Sequence, residues 1–247
     1  MIAARPRPLE PRERRVLLRA LGIGALVAMA FAAPATISLV RGQLAPTESR
    51  LGEAIAHAFG GVTLPILAAA VAAGVLGDGS PVRARVDRLV AAGADPRRVL
   101  LRPILLAMIA ATLAGALAST LTVALLRLSL RLGAPSLLLF DMLASAWATM
   151  LGAAAWTGLA ALLVARTGRP VRAWLVVAID LVTRLVPGAL AWIAPSAHVE
   201  NVLGAPPPRG FVHVPVVPQL ASVAALLAIA VISTAIAARR YQGTPAR

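Results

Sequence analysis

The sequence predicts an all-α, polytopic membrane protein with six transmembrane helices, both termini cytoplasmic, and a short amphipathic helix between spans two and three. Three observations predict it. The 247 residues are 59% hydrophobic, with a mean hydropathy of +0.83 and only 14% charged, which is more apolar than a soluble domain. Apolar stretches of about 20 residues, the length at which a helix crosses the ~30 Å hydrocarbon layer, recur six times. The basic residues, 24 in all and every one an arginine, gather in alternate gaps between those stretches.

Taken in order, the spans run from Ala20 to Val40, Ala54 to Leu76, Val99 to Leu126, Leu137 to Ala165, Trp174 to Ile193 and Val216 to Ala238. The third and fourth are long enough to tilt or to project beyond the bilayer. The first follows a basic start and carries small residues at Ala32 and Ala33, as a cleaved leader would. Its apolar run is long for a leader and continues from Pro34 to Val40, so it is expected to stay as a span. With the N-terminus inside, eighteen arginines fall on the cytoplasmic side, among them Arg83, Arg85, Arg88, Arg97, Arg98, Arg166, Arg169 and Arg239. Only Arg41, Arg50, Arg127, Arg131 and Arg209 fall on the other. Basic loops resist translocation, so this asymmetry orients the chain. No solenoid repeat or low-complexity linker divides it, and residues 1–247 read as one domain.

The formal charge of +14 raises the question of nucleic acid. Arginines confined to short gaps between spans form no basic domain, however, and they are read as topology signals beside anionic headgroups, with no nucleic-acid partner expected. Cysteine is absent, which excludes disulfides and thiolate chemistry. Lysine is absent too, so the chain has no P-loop lysine and is not expected to hydrolyse ATP by the usual phosphate-cradling motif. His57, His198 and His213 are scattered, without ligand spacing. No catalytic, cofactor or metal residue is therefore expected, and the chain reads as a non-enzyme.

The segment between spans two and three carries the most information. Ser80 before Pro81 is a helix-start signature and Gly93 a stop. Between them Val82, Val86, Leu89 and Val90 form one apolar stripe, while Arg83, Arg85, Asp87 and Arg88 cover the rest. Asp95 then caps a new helix, with Pro96 in its first turn, that leads through Arg97 and Arg98 into span three. A plain connecting loop needs none of this. The bland alternative is a helix lying on the lipid surface with no partner.

The six-span layout with this segment resembles the permease subunits of ATP-binding-cassette (ABC) exporters, especially the type-2 group. The likeness rests on Val86-Asp-Arg-Leu-Val-Ala-Ala-Gly-Ala-Asp-Pro-Arg-Arg-Val-Leu-Leu-Arg-Pro before span three. It rests also on Ile193-Ala-Pro-Ser-Ala-His-Val-Glu-Asn-Val-Leu-Gly between spans five and six. The first stretch is also similar to the permeases of the lipopolysaccharide-transport exporter. Those carry a large β-domain after span three, where this chain has only Arg127 to Ser136.

The resemblance implies that the helix between spans two and three is a coupling helix docking on a separate ATP-binding-cassette ATPase subunit. Arg83, Arg85, Asp87, Arg88, Asp95, Arg97 and Arg98 would then make that contact. It further implies a second permease subunit, an amphipathic or lipid-like substrate, and residence in the bacterial cytoplasmic (inner) membrane.

Two other readings stay open at this point, an ion-coupled secondary transporter and a non-transporting membrane scaffold. For the former the sequence offers Asp180 and Arg184, one turn apart in span five and expected to pair with each other. Asp141 is a third coupling charge in that reading; it and His57 stand near outer helix ends, where solvent or a neighbour can satisfy them and a proton-relay role stays open. For the latter, the small residues Gly115, Ala118, Ser119, Gly152, Ala155 and Gly158 suffice to pack helices. Trp174 and Trp192 are expected to anchor at interfaces.

Overall fold

A computed structural model describes residues 55–130, 135–185, 193–204 and 218–239, together with residue 53 and isolated positions between 11 and 30. Among the described residues every regular element is helical. A π-helical turn, His57–Thr63, opens into α1, Leu64–Leu76. Then come α2, Pro81–Ala91, α3, Pro96–Leu130, and α4, Pro135–Ala165. A 3₁₀ turn, Pro170–Trp174, leads into α5, Leu175–Leu185, followed by the short α6, Pro195–Val202, and by α7, Gln219–Arg239.

Four of these stretches are long and apolar enough to cross a membrane: His57–Leu76, Pro96–Leu125, Leu138–Ala165 and Gln219–Arg239. The chain is thus a multi-pass helical membrane protein. The four correspond to expected spans two, three, four and six. Most of span one, and the part of span five beyond Leu185, lie outside the described residues. At 35 residues, α3 is about 50 Å long at ~1.5 Å per residue. It overshoots the hydrocarbon layer, as the length of its apolar run anticipates.

α4 is the hub. Its membrane-crossing window is 72% buried, against 44% for α3 and 33% for α7, because α1, α3, α6 and α7 all pack on it. Small residues make that possible. A Cβ at Gly152 would stand 2.5 Å from Val199 Cγ2 and 2.9 Å from Leu64 Cδ1, and one at Gly158 would press on Ser233 Oγ and sit 3.1 Å from the Ala230 carbonyl oxygen. Glycine at these two positions lets side chains of α1 and α6, and the backbone of α7, close directly on the α4 backbone. The surrounding core is mostly alanine, with Trp156, Leu67, Leu100, Ile104 and Leu226 as its larger buried members.

The outside of the bundle is greasy in a way water would not tolerate. From Leu101 through Leu105, Ile109, Leu113, Leu117 and Leu121 to Leu125, every fourth residue of α3 is exposed and aliphatic. A four-residue step keeps one face of a helix in view, and an apolar face of this length needs lipid beside it.

The bundle has two polar ends. At one lie α2, the end of α4 and the start of α5, with Arg85, Arg88, Arg97, Arg98, Arg166 and Arg169. At the other lie the π-helical turn, α6 and the ion pair of Arg127 with Asp141, which joins the end of α3 to the start of α4. Asp141 is thereby satisfied by a neighbour, one of the two outcomes that its place near a helix end allowed.

Candidate functional site

The segment between α1 and α3 is built as a rigid corner. The Ser80 hydroxyl accepts from Val82 N at 3.2 Å and donates to the Val75 carbonyl at 2.8 Å, so one side chain starts α2 and closes off α1. α2 ends in a two-bond glycine cap. Gly93 N donates to Val90 O at 2.9 Å and Ala94 N to Leu89 O at 3.0 Å, with Gly93 at φ +86, a backbone state that glycine adopts without a Cβ clash. Asp95 Oδ1 then accepts from Arg97 N at 3.0 Å and begins α3. Helix, glycine turn and capped second helix are all where the residue signals put them.

The faces of α2 divide less simply than the stripe implied. Val86 is buried and Val82 and Val90 are half-buried against the core, but Leu89 is exposed at 39% and Arg83 is buried at 2%. Arg83 Nη1 donates to the Ala165 carbonyl at 3.1 Å, and its Nε lies 3.3 Å from Asp87 Oδ1. Ala165 is the last residue of α4, where carbonyls lack helical partners and the helix dipole favours a cation. Arg83 is thus a staple between α2 and α4.

Of the other residues expected to face a partner, Arg88, Asp95, Arg97 and Arg98 are exposed, and Arg85 and Asp87 are half-buried. Arg85, Arg98 and Arg102 rim a notch of about 120 Å³ between α2 and α3, floored by Val82, Val86, Val99 and Pro103.

A second staple joins the corner to the α4–α5 turn. Asp78 N donates to Gly168 O at 2.6 Å. Gly168 has φ +69, and a Cβ there would run into the Asp78 carboxylate. A Cβ on Gly77 would stand 3.0 Å from Pro170 Cβ. The corner is therefore tied to α1, α3, α4 and the start of α5 at once. Force applied to its outer face reaches four helices.

At the opposite end α6 brings a polar cluster that sequence reasoning did not assemble. Ser196 Oγ lies 2.6 and 2.7 Å from the two carboxylate oxygens of Asp180, and Thr183 donates to the Asp180 carbonyl at 2.9 Å. His57 Nδ1 stands 3.4 Å from Glu200 Oε1. His198 Nδ1 lies 3.1 Å from Ser222 Oγ, which also accepts from Asn201 Nδ2 at 2.8 Å. Asp180, Ser196, His198, Glu200 and Ser222 are all buried.

Close approach is again bought with glycine, since a Cβ on Gly60 would stand 3.3 Å from Glu200 Cγ. The π-helical turn around Gly60 widens the helix at that contact. Asp180 was expected to pair with Arg184. The Ser196 hydroxyl bonds its carboxylate, and the Arg184 side chain lies outside the described residues.

The signal for this cluster was slight. Pro195-Ser-Ala-His-Val-Glu-Asn-Val is too short for hydrophobic periodicity, and its polar residues resemble those of any loop. Only the Pro start and the return of apolar residues at Val199 and Val202 hint at a helix tucked inward.

No protein-family model, curated protein or solved structure matches the chain. Among the described residues no group of three or more His, Cys, Asp or Glu could hold a metal ion. The arrangement offers two things chemically: a stiff charged corner at one end, and a set of buried carboxylates held by hydroxyl and imidazole partners at the other.

Proposed function

We propose that the chain is the membrane-spanning permease subunit of an ABC-type exporter. In this reading it spans the bacterial cytoplasmic membrane six times with both termini inside, and pairs with a second permease subunit. It moves an amphipathic or lipid-like substrate with ATP hydrolysed by a separate subunit.

The observation that carries this reading is the corner formed by α2, Gly93 and the start of α3. It presents Arg88, Asp95, Arg97 and Arg98 outward, and is tied inward through Arg83 to Ala165 and through Asp78 to Gly168. A loop that only connects spans needs no such stiffness. A lever that transmits force does, because a soft handle would absorb the movement of a motor without passing it on. The arginines that surround it support a cytoplasmic placement of this end by the positive-inside rule, the side where ATP is available.

The test is co-expression with the ATPase subunit and charge reversal at Arg88, Arg97 and Arg98. Co-purification should persist in the wild type and fall at least tenfold in the triple variant, with loss of ATPase stimulation. A partner that binds the reversed surface as well as the native one would refute the reading.

Ion-coupled secondary transport is the second reading, favoured by the burial of Asp180 and Glu200 beside Ser196 and His57. Uptake into vesicles driven by a proton gradient without ATP, and lost on Glu200→Gln, would select it.

A further inference from the structure

A cavity of about 500 Å³ opens beside the corner, between α1 and Arg19. Its shape follows from α1. Ala70, Ala73 and Gly74 face it, and since a Cβ at Gly74 would meet nothing within 4 Å among the described residues, this side of α1 forms a notch in them. Asp78 and Ser80 lie at its rim, where α1 gives way to α2, and Arg19 lines it from the N-terminal side. At ~1.5 Å per residue, Ala70 sits about 10 Å deeper than the rim. Charge stands at the water end and hydrocarbon below it, the same order as in a lipid molecule lying along the membrane normal.

We infer that this cavity binds one amphipath whose headgroup carries both a phosphate and an ammonium, an aminophospholipid of the inner leaflet. Arg19 supplies a guanidinium fork for the phosphate. The carboxylate of Asp78 accepts from the ammonium, and repels a headgroup whose only charge is negative. Ala70, Ala73 and Gly74 leave room for the start of an acyl chain.

The volume lies in the range of small-molecule sites, which are apolar with a few placed polar groups. The rim is preformed. Asp78 N is held by Gly168 O at 2.6 Å and Ser80 Oγ by Val75 O at 2.8 Å, so little order remains to be gained on binding. A cavity with arginine alone would take any anionic lipid. The Asp78 carboxylate, on the same lining, is what narrows the choice. The assignment to the inner leaflet rests on the orientation proposed above, and the pairing of Arg19 with Asp78 at the cavity does not depend on an ATPase partner.

The experiment uses the full chain in vesicles containing a trace of phosphatidylethanolamine with a photoreactive group in its acyl chain, followed by peptide mapping. Adducts should concentrate on residues 68–81, and should be suppressed by unlabelled phosphatidylethanolamine at least fivefold better than by phosphatidylglycerol. Gly74→Trp fills the notch and should cut labelling about tenfold. Arg19→Glu, at an exposed position that leaves packing alone, should do the same. Asp78→Asn should erase the preference over phosphatidylglycerol. Labelling unchanged in both Gly74→Trp and Arg19→Glu would overturn the proposal, as would equal competition by phosphatidylglycerol. Displacement by soluble O-phosphoethanolamine as effective as by the lipid would also overturn it, since the acyl wall would then contribute nothing.

Discussion

Replacing Arg83 with alanine should detach α2 from the bundle while leaving it helical. The buried guanidinium donates to the Ala165 carbonyl at 3.1 Å, and its Nε lies 3.3 Å from Asp87 Oδ1. A hydrogen bond from a charged donor contributes about 1.5–3 kcal/mol, and a cation at a helix C-terminus adds about 0.3–1 kcal/mol. The Asp87 contact adds little, because that carboxylate is 27% exposed and water can replace the partner.

The sum, about 2–4 kcal/mol, corresponds to a roughly 30- to 900-fold rise in the open population of α2. Hydrogen exchange by mass spectrometry reads this directly, since amides in residues 84–92 exchange through local opening. Arg88→Ala is the control. Its Nε donates to Ala84 O at 3.2 Å on the same exposed helix surface, so the change should stay within a few-fold. Arg83→Lys should fall between, because a point charge reaches one acceptor where the fork reaches two. Equal exchange in Arg83→Ala and Arg88→Ala would refute the idea that Arg83 holds the corner to α4.

Ser196→Ala removes the hydroxyl that bonds both Asp180 oxygens at 2.6 and 2.7 Å and should destabilise the α6 end by about 1.5–3 kcal/mol. A thermal-unfolding series in detergent checks it, and an unchanged midpoint would show that the Ser196 hydroxyl contributes nothing at this contact. Gly93→Ala and Gly168→Ala form a matched pair. Both force a side chain into positive φ, at roughly 1–2 kcal/mol, but only at Gly168 does the new Cβ meet the Asp78 carboxylate. Gly168→Ala should therefore lower the midpoint temperature clearly more than Gly93→Ala. Equal shifts would show that the Asp78 staple carries no strain.

Much of the chain was legible because lipid imposes a coarse rule: a span must be long, apolar and helical. Residue counting alone located spans two, three, four and six. α2 was legible for a different reason, since Ser80, Pro81, Gly93 and Asp95 are local signals whose meaning does not depend on what packs nearby. The seven residues expected to meet a partner are the charged ones of the segment that the family resemblance singles out. Charge does not say which way a side chain turns, and Arg83 turns inward because α4 happens to end opposite it.

Sequence alone determined that the protein lives in a bilayer, where its arginines collect, and that a capped amphipathic helix interrupts its spans, because these depend on local hydropathy and backbone chemistry. Only the tertiary structure decided that α6 carries Ser196, His198 and Glu200 into the interior, and that Arg83 and Asp78 tie one corner to four helices. Those pairings join residues between 16 and 143 positions apart in the chain. Which distant residues meet is decided by the packing of whole helices on α4, and no local pattern records it.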